Sequence, residues 1–236
     1  QNESFLSLQI GDIMTRPGFR NAGLGKTSVL GRITDYFHHQ FCMDRIPFMY
    51  GFVAGNHRKF GERFLHYHYM PGIPYHVLDL RHKEMRRPGR IKQMLSGVRI
   101  EEIPHVTPAL DLFFREAAKD YGMLVKRNAT YLKWRYMDCP DGGYRFFVVK
   151  RFGKLVGWSI FKQRGMVLLW GDALFSKDHL QLVETLLAEV IANHFQSVER
   201  IDGWFSKTPQ WWSDMLLSIG FEISEEPNGL VGGVTI

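Results

Sequence analysis

The chain has 236 residues, 45% hydrophobic and 14% aromatic, which makes it globular, with core enough for one large domain or two modest ones. Thirty basic against 24 acidic residues give a net charge of +6, suited to a polyanionic ligand. The basic residues are scattered, and the densest run, 81–92, lies in a Pro/Gly-containing connector rather than on a periodic face, so nucleic acid is not the expected partner. No apolar stretch approaches the ~18 residues that a membrane-spanning helix needs, and no signal peptide is visible. The two cysteines, Cys42 and Cys139, stand in unrelated contexts without metal-ligand spacing, which points to a reducing, cytoplasmic setting. The first residue is Gln, as in a fragment or a processed piece.

Leu6 to Thr15 reads as a strand whose alternation shifts at Gly11-Asp12, where a bulge is expected. A basic turn rich in glycine follows, and from Thr27 to His39 the spacing of Val29, Leu30, Ile33 and Phe37 predicts a helix. Strand, glycine turn, helix is the order of an anion cradle: the turn lets backbone N–H groups converge and the helix dipole favours negative charge there. Residues 46–53 are an apolar run of the kind buried on both faces. A short aromatic helix over 57–69 and a strand over 73–80 complete the first half.

Residues 81–97 carry few large apolar side chains and are the candidate linker. Beyond them the pattern predicts a strand (98–103), helices (108–121 and 129–136) and three strands (144–151, 154–162 and 166–174). A long helix (178–195), a strand (198–205), a helix (209–219) and strands at 221–224 and 230–236 follow. The two halves echo each other. Gly11-Asp12 ends a strand as Gly171-Asp172 does, and Gly51-Phe52 sits in the next strand as Gly203-Trp204 does, with a long helix between the markers each time. The second copy lacks the glycine turn, passing from Leu174 through residues 175–177 straight into helix.

Two known cradles compete for the turn. Gly23-Leu24-Gly25-Lys26-Thr27 matches the end of a Walker A loop, but the first glycine of that pattern falls at Arg20. Arg20-Asn21-Ala22-Gly23-Leu24-Gly25, with Pro17 upstream, matches R-x-x-G-x-G at every fixed position, and here the chain resembles the GNAT superfamily of N-acetyltransferases. Gly51-Phe52 with Asn56 resembles the G-F-x-x-N end of that family's fifth strand, and Tyr131 to Pro140 resembles a Y-L-x-W-R-Y stretch of its two-module members. The resemblance implies a mixed α/β chain of two GNAT-like modules, each a twisted mixed sheet flanked by helices. The expected division is 1–85 for a module that starts at its fourth strand, 86–96 for a linker, and 97–236 for a complete but degenerate module. The first strand would then present an open edge, so that either upstream residues are missing or the second module covers it.

The same resemblance implies an acetyltransferase that binds acetyl-CoA as co-substrate and passes its acetyl group to a small-molecule or peptide amine by direct attack in a ternary complex. Ile13 and Thr15 would pair with the pantetheine arm. Arg20, Asn21, Ala22, Gly23, Leu24, Gly25, Lys26 and Thr27 would cradle the diphosphate, and Asn56 would complete the set. The family's usual base falls near Gln9, which leaves Asp12; its usual acid falls at Glu62; His57 is a further candidate. No metal is expected, since His66 and His68 share a strand face with no carboxylate to complete a set. The alternatives are a nucleotide-binding P-loop at residues 23–27 and a CoA-binding module without turnover.

Overall fold

A computed structural model describes residues 4–11, 15–20, 22–54, 56–69, 72–83, 85, 89, 95–227 and 230–235. The chain is mixed α/β and folds as two compact units, Gln1–Ile73 with Glu225–Ile236, and Pro74–Ser224.

The first unit holds β1 (Ser7–Ile10), α1 (Val29–Phe37), β2 (Phe48–Ala54), α2 (Asn56–Phe64), β3 (His68–Tyr69) and the last strand of the chain, β11 (Leu230–Thr235). Its sheet runs β1-β2-β11-β3, with β1 and β2 parallel and the other pairs antiparallel. The apolar run in β2 is not buried on both faces as its composition suggests. Phe48, Tyr50 and Phe52 share one face with successive ring centroids 5.8 and 6.5 Å apart, and Phe52 is 40% exposed.

The second unit begins with β4 (Tyr75–Asp79) and β5 (Val98–Glu102), then α3 (Ala109–Ala117), α4 (Ala129–Leu132), β6 (Arg145–Arg151), β7 (Lys154–Arg164) and β8 (Val167–Phe175). It ends with α5 (Gln181–Asn193), β9 (Arg200–Trp204), α6 (Gln210–Ile219) and β10 (Glu222–Ser224). Its sheet runs β5-β6-β7-β8-β9-β4-β10, and β8/β9 is the one parallel pair. Strand alternation divides the apolar side chains between two cores. On β6, Phe147 and Val149 face Leu186, Val190 and Leu216 of α5 and α6, while Phe146 and Val148 join Leu110, Phe113 and Leu132 of α3 and α4. Helix α6 stops at Gly220, whose φ of 98° lets its N–H and that of Phe221 turn back onto the last carbonyls.

The compact units do not divide at the 86–96 connector, and the reason is topological. Strands β1, β2, β3 and β4 correspond in order to β8, β9, β10 and β11, and each half sends its final strand into the other sheet. Strand β11 lies between β2 and β3, and β4 lies between the equivalent β9 and β10. The helix expected over 57–69 ends at Phe64 and His68–Tyr69 form a short strand that the sequence pattern does not show, while the last strand of each half is exchanged.

Candidate active site

In the first unit, β1 and β2 pair from Ser7 with Phe48 to Ile10 with Gly51. Asp12, Ile13 and Asn21, expected at the site, lie outside the described residues. From Thr15 the chain forms two short 3-10 turns, Pro17–Phe19 and Gly25–Thr27, before α1 starts at Val29, two residues later than the periodicity suggests. Ser28 is the true N-cap, its hydroxyl accepting from the Gly31 N–H at 3.1 Å. The turn is exposed, and much of its hydrogen bonding is internal. Arg20 and Ala22 donate their N–H groups to Pro17 and Phe19, Thr27 donates its own to Leu24, and the Leu24 N–H reaches the Thr27 hydroxyl at 3.3 Å. That hydroxyl itself donates to the Leu24 carbonyl, and the Arg20 guanidinium donates to the Thr15 carbonyl at 3.1 Å.

Within 22–27, the N–H groups of Gly23, Gly25 and Lys26 have no hydrogen-bond partner among the described residues. The two glycines allow this. Gly23 and Gly25 have φ of 79° and 55°, a region that favours glycine. A Cβ at Gly23 would lie 2.4 Å from the Thr27 carbonyl oxygen, and one at Gly25 would lie 2.7 Å from the Phe64 ring of α2. The amide set is therefore narrower than the whole of residues 20–27.

Other expected residues are dispersed. Gln9, at the position of the usual base, accepts from the Tyr50 hydroxyl at 3.3 Å on the open face of the sheet. Glu62 is exposed on α2, with neither a hydrogen bond nor an ion pair among the described residues. Asn56 and His57 open α2, directly after β2. A contact that the sequence did not suggest brings Lys26 Nζ to 3.1 Å from His66 Nε2.

The second unit repeats the strand geometry with a different outcome. Strands β8 and β9 pair over Val167–Trp170 and Arg200–Gly203, after which β8 continues to Phe175 paired with β7 and no longer with β9. The freed main-chain groups are taken by side chains. Asp172 accepts from the Ala173 N–H at 2.9 Å, and the Tyr121 hydroxyl both donates to the Phe175 carbonyl at 3.1 Å and accepts from the Phe175 N–H at 3.4 Å. Asp172 is buried and held by Arg127 Nε at 2.9 Å and by the Tyr136 hydroxyl at 3.1 Å. Burial pushes both phenols above the ordinary tyrosine value, and the Asp172 carboxylate adds to the effect. The Ser176 N–H, where a second cradle would begin, is spent on the Val156 carbonyl at 3.0 Å. In the Y-L-x-W-R-Y stretch, Leu132 is fully buried and Tyr136 serves Asp172, while Trp134 is 66% exposed.

Two sheets, each with a parallel pair extended by antiparallel strands and a helix linking the paired strands, are the GNAT fold in tandem. No family model matches the chain, and no curated protein matches it by sequence. Solved structures do. A tandem GNAT protein from the clavulanic acid biosynthesis pathway superposes with a TM-score of 0.59 at 15% identity, over 97% of this chain and 74% of that one. A conserved protein of unknown function from Enterococcus faecalis, described as a probable N-acyltransferase, gives 0.65 at 13% identity over 96% of this chain. A GCN5-related N-acetyltransferase from Anabaena variabilis gives 0.61 at 12% over 93%. The chain spans 53% and 52%, about half, of the length of these last two. Among the described residues no group of three metal-ligating side chains converges, and no helix is long and apolar enough to cross a membrane.

Proposed function

We propose that the chain is an acyltransferase whose first unit holds acetyl-CoA at residues 20–27 and passes the acetyl group to an amine, while the second unit is a degenerate module without a donor site. The observation that carries this reading is the group of unpartnered amides of Gly23, Gly25 and Lys26 at the entry to α1, in a fold whose solved examples include N-acetyltransferases. In the reaction the amine nitrogen attacks the thioester carbonyl carbon; the C–N bond forms, the C–S bond breaks, the amine loses a proton and the CoA thiolate leaves and gains one. Positioning the two partners supplies most of the catalysis. Asp12, Glu62 and His57 are the acid–base candidates, Ile13 and Thr15 the partners of the pantetheine arm, and Asn56 a further contact. The acceptor is a small-molecule or peptide amine.

Calorimetry of the full chain with acetyl-CoA tests the reading. Gly23→Asp with Gly25→Asp places carboxylates in the cradle and is expected to weaken binding about a hundredfold or more, as is Lys26→Glu, which leaves both glycines in place. Equal binding by wild type and variants removes the proposal, and magnesium-dependent ATP binding without CoA binding replaces it with a nucleotide site. Gln9 at the position of the usual base favours one second reading, a CoA-binding module without turnover. Tight CoA binding with no acetylation across a panel of amines supports that reading.

A further inference from the structure

Lys26, whose own N–H is one of the three unpartnered amides, and His66 are 40 residues apart in sequence and meet with Nζ at 3.1 Å from Nε2. Each is placed independently. Lys26 sits on the turn whose Gly25 is pressed against Phe64, so the turn and the end of α2 are held together. His66 has φ of 57°, uncommon for a residue other than glycine. Its neighbours fix it there: the N–H groups of Leu65 and Tyr67 both donate to the Gly61 carbonyl, at 2.9 and 3.2 Å, and a Cβ at Gly61 would lie 2.2 Å from the Tyr67 ring.

In this contact the Lys26 ammonium donates and a neutral His66 accepts. An imidazolium has no acceptor and would repel the ammonium. Both side chains are exposed, so the pair contributes little to stability. Its effect is to hold a fixed cation and a titratable side chain next to each other at the turn that carries the unpartnered amides. The nearest charged residues on α2, Glu62 and Arg63, and His68 on β3 are exposed. Among the described residues none of them is hydrogen-bonded to His66, and no carboxylate pairs with it.

We propose that Lys26 and His66 act together as a clamp on the diphosphate of acyl-CoA, and that His66 takes up a proton as the ligand seats. This inference rests on the acyl-CoA reading of the first unit. When phosphate oxygens arrive, the ammonium turns to them and Nε2 loses its donor. A proton there restores a hydrogen bond, now from Nε2–H to a second phosphate oxygen, and the ligand's negative charge favours the imidazolium. Because binding is linked to proton uptake, capture of the ligand weakens as pH rises.

The test is calorimetry of the full chain with CoA in two buffers of different ionisation heat, which reads protons taken up per ligand bound. His66→Asn is the variant of choice because asparagine tolerates a left-handed backbone. Wild type is expected to take up a fraction of a proton with CoA and equally with dephospho-CoA, which keeps the diphosphate, and to bind CoA severalfold more weakly at pH 8 than at pH 6. In His66→Asn, with an unchanged circular dichroism spectrum, the uptake and the pH dependence disappear. CoA binding without uptake, uptake that survives in His66→Asn, or uptake lost with dephospho-CoA overturns the clamp and leaves the acyl-CoA reading standing. Absence of CoA binding to wild type defeats that reading and the clamp with it.

Discussion

The glycine turn after β1 and the segment after β8 start from the same design and end differently. Both follow the first strand of a parallel pair, and both lead into a helix. After β1 the chain spends ten residues, 17–26, on turns that leave the N–H groups of Gly23, Gly25 and Lys26 facing no described partner. After β8 it spends almost none, and Asp172 and Tyr121 take the main-chain groups of Ala173 and Phe175 that the splay sets free. Main-chain groups at a splayed strand can serve a ligand or satisfy the protein itself, and burial decides between the two, because a buried unpaired N–H or C=O is costly. The second unit satisfies these groups internally, and the first leaves the N–H groups of Gly23, Gly25 and Lys26 without a partner among the described residues.

The sharpest way to break that contrast is at Asp172. Asp172→Ala strands the Arg127 guanidinium and the Tyr136 hydroxyl in the second unit, and a loss of about 3 kcal/mol is expected in chemical denaturation of the full chain. An unchanged midpoint would show that the carboxylate is not needed for the seal. Tyr121→Phe is milder. It removes one hydroxyl and leaves the Phe175 N–H and carbonyl unpaired, costing about 1–2 kcal/mol, while the stoichiometry of CoA binding stays at one. A second equivalent of CoA bound by wild type would mean that the seal opens for a ligand.

The smallest effect is confined to alkaline solution. The folded pKa values of Tyr121 and Tyr136 are raised above the ordinary value of 10.0, so the stability they contribute is complete below pH 10 and is lost as the pH climbs through the folded values. Ultraviolet titration should find both phenols ionising only as the second unit unfolds, and Tyr121→Phe should remove one of them from that late phase. Two phenols ionising near pH 10 with the fold intact would contradict the buried, hydrogen-bonded arrangement.

Much of the architecture was legible in the chain. Helices α1, α5 and α6 were visible because their apolar residues recur at helical spacing, and β6 and β7 because short apolar runs flank a Phe152-Gly153 turn. The need for glycine in the turn was legible too, since Gly23 and Gly25 occupy backbone conformations that favour glycine. Less visible was how the turn closes on itself: the pairing of Thr27 with Leu24 and of Ala22 with Phe19 depends on backbone angles that a six-residue motif does not specify. Tyr121 and Arg127 carried no signal at all, because each acts on a partner 54 or 45 residues away.

The sequence by itself determined most of the helices and strands but not the short strand β3, together with the twofold echo between the halves and the place of the glycine turn before α1, all local properties of periodicity and backbone preference. Only the tertiary structure decided which sheet each final strand joins, that Asp172 and Tyr121 seal the end of β8, and that Lys26 meets His66. Alternation along a strand fixes the face that each side chain takes but not the neighbour that the strand hydrogen-bonds, and the exchange of β4 and β11 turns on that neighbour.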